Sequence, residues 1–118
     1  MGDKNMKNIQ SCIAESFKNQ TDNIFKFYID KNFTAFEGHF PGNPLLPGIV
    51  QMEIALFCVK KLLNNNDAVL KEAKKVKFSK PILPDTFIDV VVTGAGESFN
   101  ITIKNDKETY SQISIVVS

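Results

Sequence analysis

The sequence predicts an α+β fold in which an antiparallel sheet of about five strands wraps around one long central helix. Three observations point there. Residues 47–64 form a helix-length segment that is apolar nearly all round up to Val59, and a helix without a polar face is one enclosed by protein on most sides. Several other segments alternate apolar and polar residues with a period of two, as strands with one buried face do. The connections between them are short and turn-forming, which favours sequential, hairpin-linked strands packed on the helix.

Taken in order, residues 7–17 place Ile9, Cys12, Ile13 and Phe17 at helical intervals, and Asn19-Gln20-Thr21-Asp22-Asn23 then breaks the pattern. An N-terminal helical segment is expected within residues 1–22. Ile24, Phe25, Phe27 and Ile29 alternate roughly with Lys26, Tyr28 and Asp30, and a second short extended piece is expected over residues 33–36. Gly38, Pro41, Gly42, Pro44, Pro47 and Gly48 then fall within eleven residues, a loop that can be neither helix nor regular strand. The central helix follows, with Pro at its start and Asn64-Asn65-Asn66 at its end. Residues 69–78, 87–92, 98–104 and 110–117 read as strands, separated by Pro81 and Pro84, by Gly94 and Gly96, and by a hairpin turn at Asn105-Asp106-Lys107.

A chain of 118 residues is room for one domain, residues 1–118, with no linker or repeat to divide it. With 14 Lys, no Arg and 13 acidic residues the formal charge is +1, which argues against a general nucleic-acid or anionic-membrane binder. Gln51, Glu53, Lys60 and Lys61 interrupt the longest apolar stretch, so no membrane span is expected. The first residues lack the apolar run of a signal peptide, and a cytoplasmic address is expected. Cys12 and Cys58 lie without metal-ligand spacing among apolar neighbours and read as reduced packing residues. A sheet this small cannot enclose a helix completely, so dimerisation through a sheet edge or helix face is expected.

Three features could carry chemistry. His39, the single histidine, sits in the Gly/Pro loop, where a rigid backbone can hold a side chain against a ligand. Glu53 has Ile49, Val50, Ile54, Leu56 and Phe57 as helical neighbours. Either it is buried, which would raise its pKa into the range of a proton donor, or it and Gln51 reach an exposed edge of the helix. The unpaired N–H groups at the helix start, around Gly48 and Ile49, favour negative charge and can polarise a carbonyl oxygen. A base, an acid and an oxyanion-binding helix end suit proton abstraction and beta-elimination next to a carbonyl.

The stretch Gly38-His39-Phe40-Pro41-Gly42-Asn43-Pro44-Leu45-Leu46-Pro47-Gly48-Ile49-Val50-Gln51-Met52-Glu53 closely resembles the active-site motif of hotdog-fold 3-hydroxyacyl-acyl-carrier-protein dehydratases. It shares the His-Phe-Pro-Gly run, the second Pro-Gly pair opening the helix, and a carboxylate fourteen residues after the histidine. Lys77-Phe78-Ser79-Lys80-Pro81-Ile82-Leu83-Pro84-Asp85 is similar to the family's strand and Pro-containing bend after the helix. The resemblance covers about residues 24–117.

It implies a hotdog homodimer or higher oligomer with active sites shared at the subunit interface. His39 would act on the alpha proton of a 3-hydroxyacyl thioester, Glu53 of the partner subunit would help protonate the departing hydroxyl, and Gly48 would offer its N–H to the thioester carbonyl. The substrate would arrive on an acyl carrier protein, in fatty-acid or related lipid or polyene synthesis, and no metal or redox cofactor would take part. Lys71, Lys74, Lys75, Lys77 and Lys80 form a local basic cluster on which an acidic carrier could dock, or which protects a solvated strand edge. Three departures mark a divergent branch. Phe57 stands where family members usually carry Gln one turn after the carboxylate, Pro84-Asp85 lacks the Gly of the family's Pro-Gly-Asp, and the chain is shorter than many members. The alternatives are a hotdog acyl thioesterase and a non-catalytic acyl-binding subunit.

Overall fold

The computed structural model describes residues 8–33 and 45–118. Their elements run α1 (Ile9–Ser16), β1 (Phe17–Thr21), β2 (Ile24–Ile29), α2 (Gly48–Leu63), β3 (Leu70–Phe78), β4 (Thr86–Ala95), β5 (Ser98–Lys104) and β6 (Thr109–Val117). The described strands form one antiparallel sheet in the order β1-β2-β4-β5-β6-β3. This is the α+β, hotdog arrangement expected from the sequence, with six strands instead of about five.

The additional strand is β1, where the polar run suggested a break. Lys18 to Thr21 are all exposed, so this edge strand carries no hydrophobic alternation to betray it. Phe17, expected to be the last apolar residue of the helix, opens the strand instead and pairs with Phe27, while Thr21 pairs with Ile24. Asp22 takes the left-handed conformation at φ 54°, and Gln20 Nε2 donates to its carbonyl at 2.8 Å. Local side-chain hydrogen bonding of this kind lets polar residues close a tight turn. Of the extended piece expected over residues 33–36, only Phe33 is described. It is buried, and its N–H donates to Asp30 O at 3.0 Å.

Period-two alternation carries the core. Strand β2 turns Phe25, Phe27 and Ile29 inward, and β4 turns Ile88, Val90 and Val92 inward, all essentially without solvent exposure. They pack on one side of α2, formed by Val50, Ile54, Ala55, Cys58 and Val59. Both cysteines are buried and unbridged, and burial pushes the Cys58 thiol far above its ordinary range although the nearby Lys61 ammonium opposes the shift. The helix is capped by Pro47 at its start and by Asn64 at its end, left-handed at φ 52°. At Gly94, with φ 119°, an added Cβ would lie 2.3 Å from the Ser98 carbonyl oxygen, so glycine is required where β4 approaches β5.

The expectation of a helix enclosed on most sides holds for only part of α2 in the single chain. Met52, Glu53, Leu56 and Phe57 are half-buried, and Ile49 is 70% exposed. The sheet covers one flank and α1 leans against another, which leaves Ile49 of the first turn uncovered. Edge strand β3 is also exposed throughout. Its register against β6 shifts between Leu70 and Glu72 and again between Ala73 and Lys75. The skipped residues are Lys71 and Lys74, and bulges carrying charge are a common device for blunting a sheet edge.

Candidate active site

The site is built around the first two turns of α2. Pro47 fixes the chain before the helix, and Gly48 and Ile49 open it with N–H groups that have no intrahelical acceptor. Among the described residues nothing accepts from Gly48 N–H. An added Cβ at Gly48 would lie 2.6 Å from the Phe78 ring of β3, so the ring sits directly against this glycine. An open cleft of about 280 Å³ lies here, lined by Leu45, Leu46, Gly48, Gln51, Phe78 and Pro81 among others.

The segment entering the helix is pinned on two sides. Leu46 N–H donates to Ile82 O at 2.8 Å, and Leu46 O accepts from Gln51 Nε2 at 3.2 Å. Ser111 on β6 in turn donates its hydroxyl to Gln51 Oε1. Gln51 is 3% exposed and Ser111 fully buried, so this polar chain runs inside the core with its donors and acceptors matched. One of the two settings the sequence left open for Glu53 puts Gln51 beside it at an exposed helix edge. Gln51 lies inside because Leu46 O and Ser111 satisfy its amide there. The clue in the sequence was parity: Ser111 occupies the same inward-facing phase of β6 as Ile113, Ile115 and Val117.

Glu53 is half-buried, between the two settings expected for it. Its Oε1 accepts from Gln10 Nε2 on α1 at 3.4 Å. One turn further along α2, Phe57 packs edge-on against Phe17 and Phe27, with both centroid separations 5.8 Å. The Lys61 ammonium lies 5.0 Å and 5.1 Å from the ring centres of Phe17 and Phe57. That aromatic cluster takes up the Phe57 ring.

Gly48 and Glu53 are not brought together within one chain. Five residues of α-helix turn the chain by roughly 140° beyond a full circle, which directs Gly48 to the Phe78 cleft and Glu53 to α1. His39 lies outside the described residues. The bend that resembles the family's second motif is fixed by Asp85, at φ 60° in the left-handed region. Its N–H donates to Ile29 O at 2.6 Å, and its Oδ1 accepts from Lys31 N–H and Tyr28 O–H, each at 3.2 Å. Asp85 thus takes up the tight backbone turn without a glycine. Desolvation, followed by the hydrogen bond to Asp85, raises the Tyr28 pKa.

In the lysine cluster, Lys75 pairs in register with Ser114 and Lys77 with Gln112, which places both on the outward face of the sheet. Lys80 is paired with Glu108 at 3.2 Å. Among the described residues, no three His, Cys, Asp or Glu side chains gather as a metal site requires, and no helix is long and apolar enough to cross a membrane.

Comparison with known proteins gives these features a family. A 3-hydroxyacyl-[acyl-carrier-protein] dehydratase FabZ from Ehrlichia chaffeensis is 38% identical over 62 residues, covering 48% of this chain and 43% of that protein. The FabZ of Latilactobacillus sakei is 26% identical over 101 residues, covering 73% of this chain and 71% of its own length. The chain thus spans less than half the length of the first of these relatives. A solved structure described as the dehydratase heterocomplex ApeI:P from Xenorhabdus doucetiae superposes with a TM-score of 0.73 at 24% identity, over 86% of this chain and 92% of that one. Because residues 15–114 match the model of the ApeI-like family, described as ApeI dehydratase, the chain belongs to that family as a divergent hotdog-fold dehydratase member.

Proposed function

We propose that the protein dehydrates 3-hydroxyacyl thioesters on an acyl carrier protein, yielding 2-enoyl thioesters and water for fatty-acid or related lipid or polyene synthesis. His39 removes the proton from C2, the electron pair forms the C2–C3 double bond, and the C3–O bond breaks as Glu53 gives its proton to the leaving hydroxyl. Gly48 N–H, at the positive end of α2, holds the thioester oxygen as charge develops on it. The dehydratase names of the Ehrlichia and Latilactobacillus relatives support the substrate class.

The observation that carries this reading is the divergence of Gly48 and Glu53 around α2. The two fall on different sides of α2, which supports an acid supplied by a second copy, with residues 1–118 acting as one hotdog domain of a dimer. Ile49, Val76 and Phe78, respectively 70%, 36% and 48% exposed, form an apolar surface beside the open edge of β3 for that copy to cover. Lys75 and Lys77 on the outward face suit an acidic carrier protein. A cytoplasmic setting belongs to the same reading.

Complementation tests it. His39→Ala and Glu53→Gln chains are each inactive alone, but chains mixed, unfolded and refolded together regain part of the activity, since one site of a mixed dimer keeps both groups. Failure of folded mixed dimers to regain activity contradicts the shared site. Release of free thiol from acyl thioesters, in place of water loss, points to the thioesterase alternative.

A further inference from the structure

Glu53 has only apolar side chains at the neighbouring positions one turn away on its own helix, namely Ile49, Val50, Leu56 and Phe57. The hydrogen bond it does make crosses 43 residues of sequence, from Gln10 Nε2 to Oε1 at 3.4 Å. Gln10 is exposed, but its backbone is held at the start of α1. It lies two residues after Asn8, whose side chain caps α1 by accepting from Ser11 N–H at 2.7 Å. Buried Cys12, Ile13 and Ser16 seat the helix on the core, and Ser16 Oγ donates to Cys12 O at 2.8 Å.

We propose that Gln10 is a positioning residue for Glu53, so that α1 supplies the group that orients the acid. This rests on the dehydratase reading of Glu53. A primary amide N–H donating to Oε1 occupies a lone pair of that oxygen, and the proton of the acid form then resides on Oε2. The donor also fixes the rotation of the carboxyl group. Oε2 is thereby the atom turned toward a departing hydroxyl, and Gln10 itself touches no substrate.

The test uses the full chain with Gln10→Met, which keeps the length of the side chain and removes the amide. The expected result is a fall of about tenfold in kcat, the scale of one ordinary hydrogen bond, with KM and melting temperature unchanged. Adding Phe57→Gln places an amide one turn from Glu53 and restores part of kcat even where the lost aromatic contacts lower the melting temperature. Gln10→Met with wild-type kcat overturns the proposal, as does a loss that merely follows the folded fraction. An activity-independent arm observes the Gln10 side-chain amide signals by NMR. Their displacement on Glu53→Gln supports the pairing, and unmoved signals refute it. A wild-type chain that turns over no hydroxyacyl thioester refutes the dehydratase reading, whereas an active wild type with an indifferent Gln10→Met refutes the positioning role alone.

Discussion

Ser111 on β6 donates its hydroxyl to Gln51 Oε1 on α2, and through the Gln51 amide the sheet holds the carbonyl of Leu46, two residues before the helix begins. Gln51→Leu strands the Ser111 hydroxyl and the Leu46 carbonyl in the core. The expected cost is about 2 kcal/mol, read as a lowered denaturant midpoint. Gln51→Leu/Ser111→Ala removes both partners of one bond and is less destabilised than the sum of the single variants, which a double-mutant cycle measures.

Gly48 and Phe78 are in contact, so that any side chain at position 48 meets the Phe78 ring. Gly48→Ala displaces the ring and costs about 1 kcal/mol, a fall of roughly 4 °C in melting temperature. In a Phe78→Ala background the same substitution has no such cost, and thermal melts of the four proteins check this.

The exposed row of Val76 and Phe78 predicts that Phe78→Lys weakens self-association. Losing the burial of one large apolar side chain raises the dimer dissociation constant at least about tenfold. Sedimentation over a concentration series reads the effect, and an unchanged constant places the interface elsewhere.

Stability is expected to decline in alkali through Cys58, whose folded-state pKa is raised by burial from its ordinary 9.0. Below pH 9 the thiol is protonated in both folded and unfolded chains, and its contribution is complete. Above it the unfolded chain loses a proton that the folded chain keeps, and stability falls by about 1.4 kcal/mol per pH unit. Cys58→Ala removes this component. Tyr110, raised by burial and then by Glu108, adds a loss of the same sign above pH 10 that the variant retains. Denaturant titrations of both proteins from pH 7 to about pH 11 separate the two.

Much of the fold was legible because burial writes period two into β2, β4, β5 and β6 and apolar continuity into α2. What stayed hidden lies where pattern and burial part company. Strand β1 is held by pairing and by Phe17, so Asn19 to Thr21 read as part of a break running to Asn23. Strand β3 was legible as a strand, but its inward residues Val76 and Phe78 are exposed among the described residues, and one sequence cannot distinguish such residues from core. At the candidate site, Gly48 and Glu53 came from the motif, while the partners that Gln10 and Ser111 find were not legible. Their roles depend on contacts across 43 and 60 residues, which only the folded chain brings about.

The central claim is tested most directly by incubating the protein with a 3-hydroxyacyl thioester, on a carrier protein and on a small thiol carrier, and weighing the acyl product. The account predicts loss of one water, reversible from the enoyl side, abolished by His39→Ala in a protein that melts as the wild type does. A folded wild type that turns over short, medium and long chains in neither direction, or a His39→Ala protein that dehydrates at the wild-type rate, would contradict it.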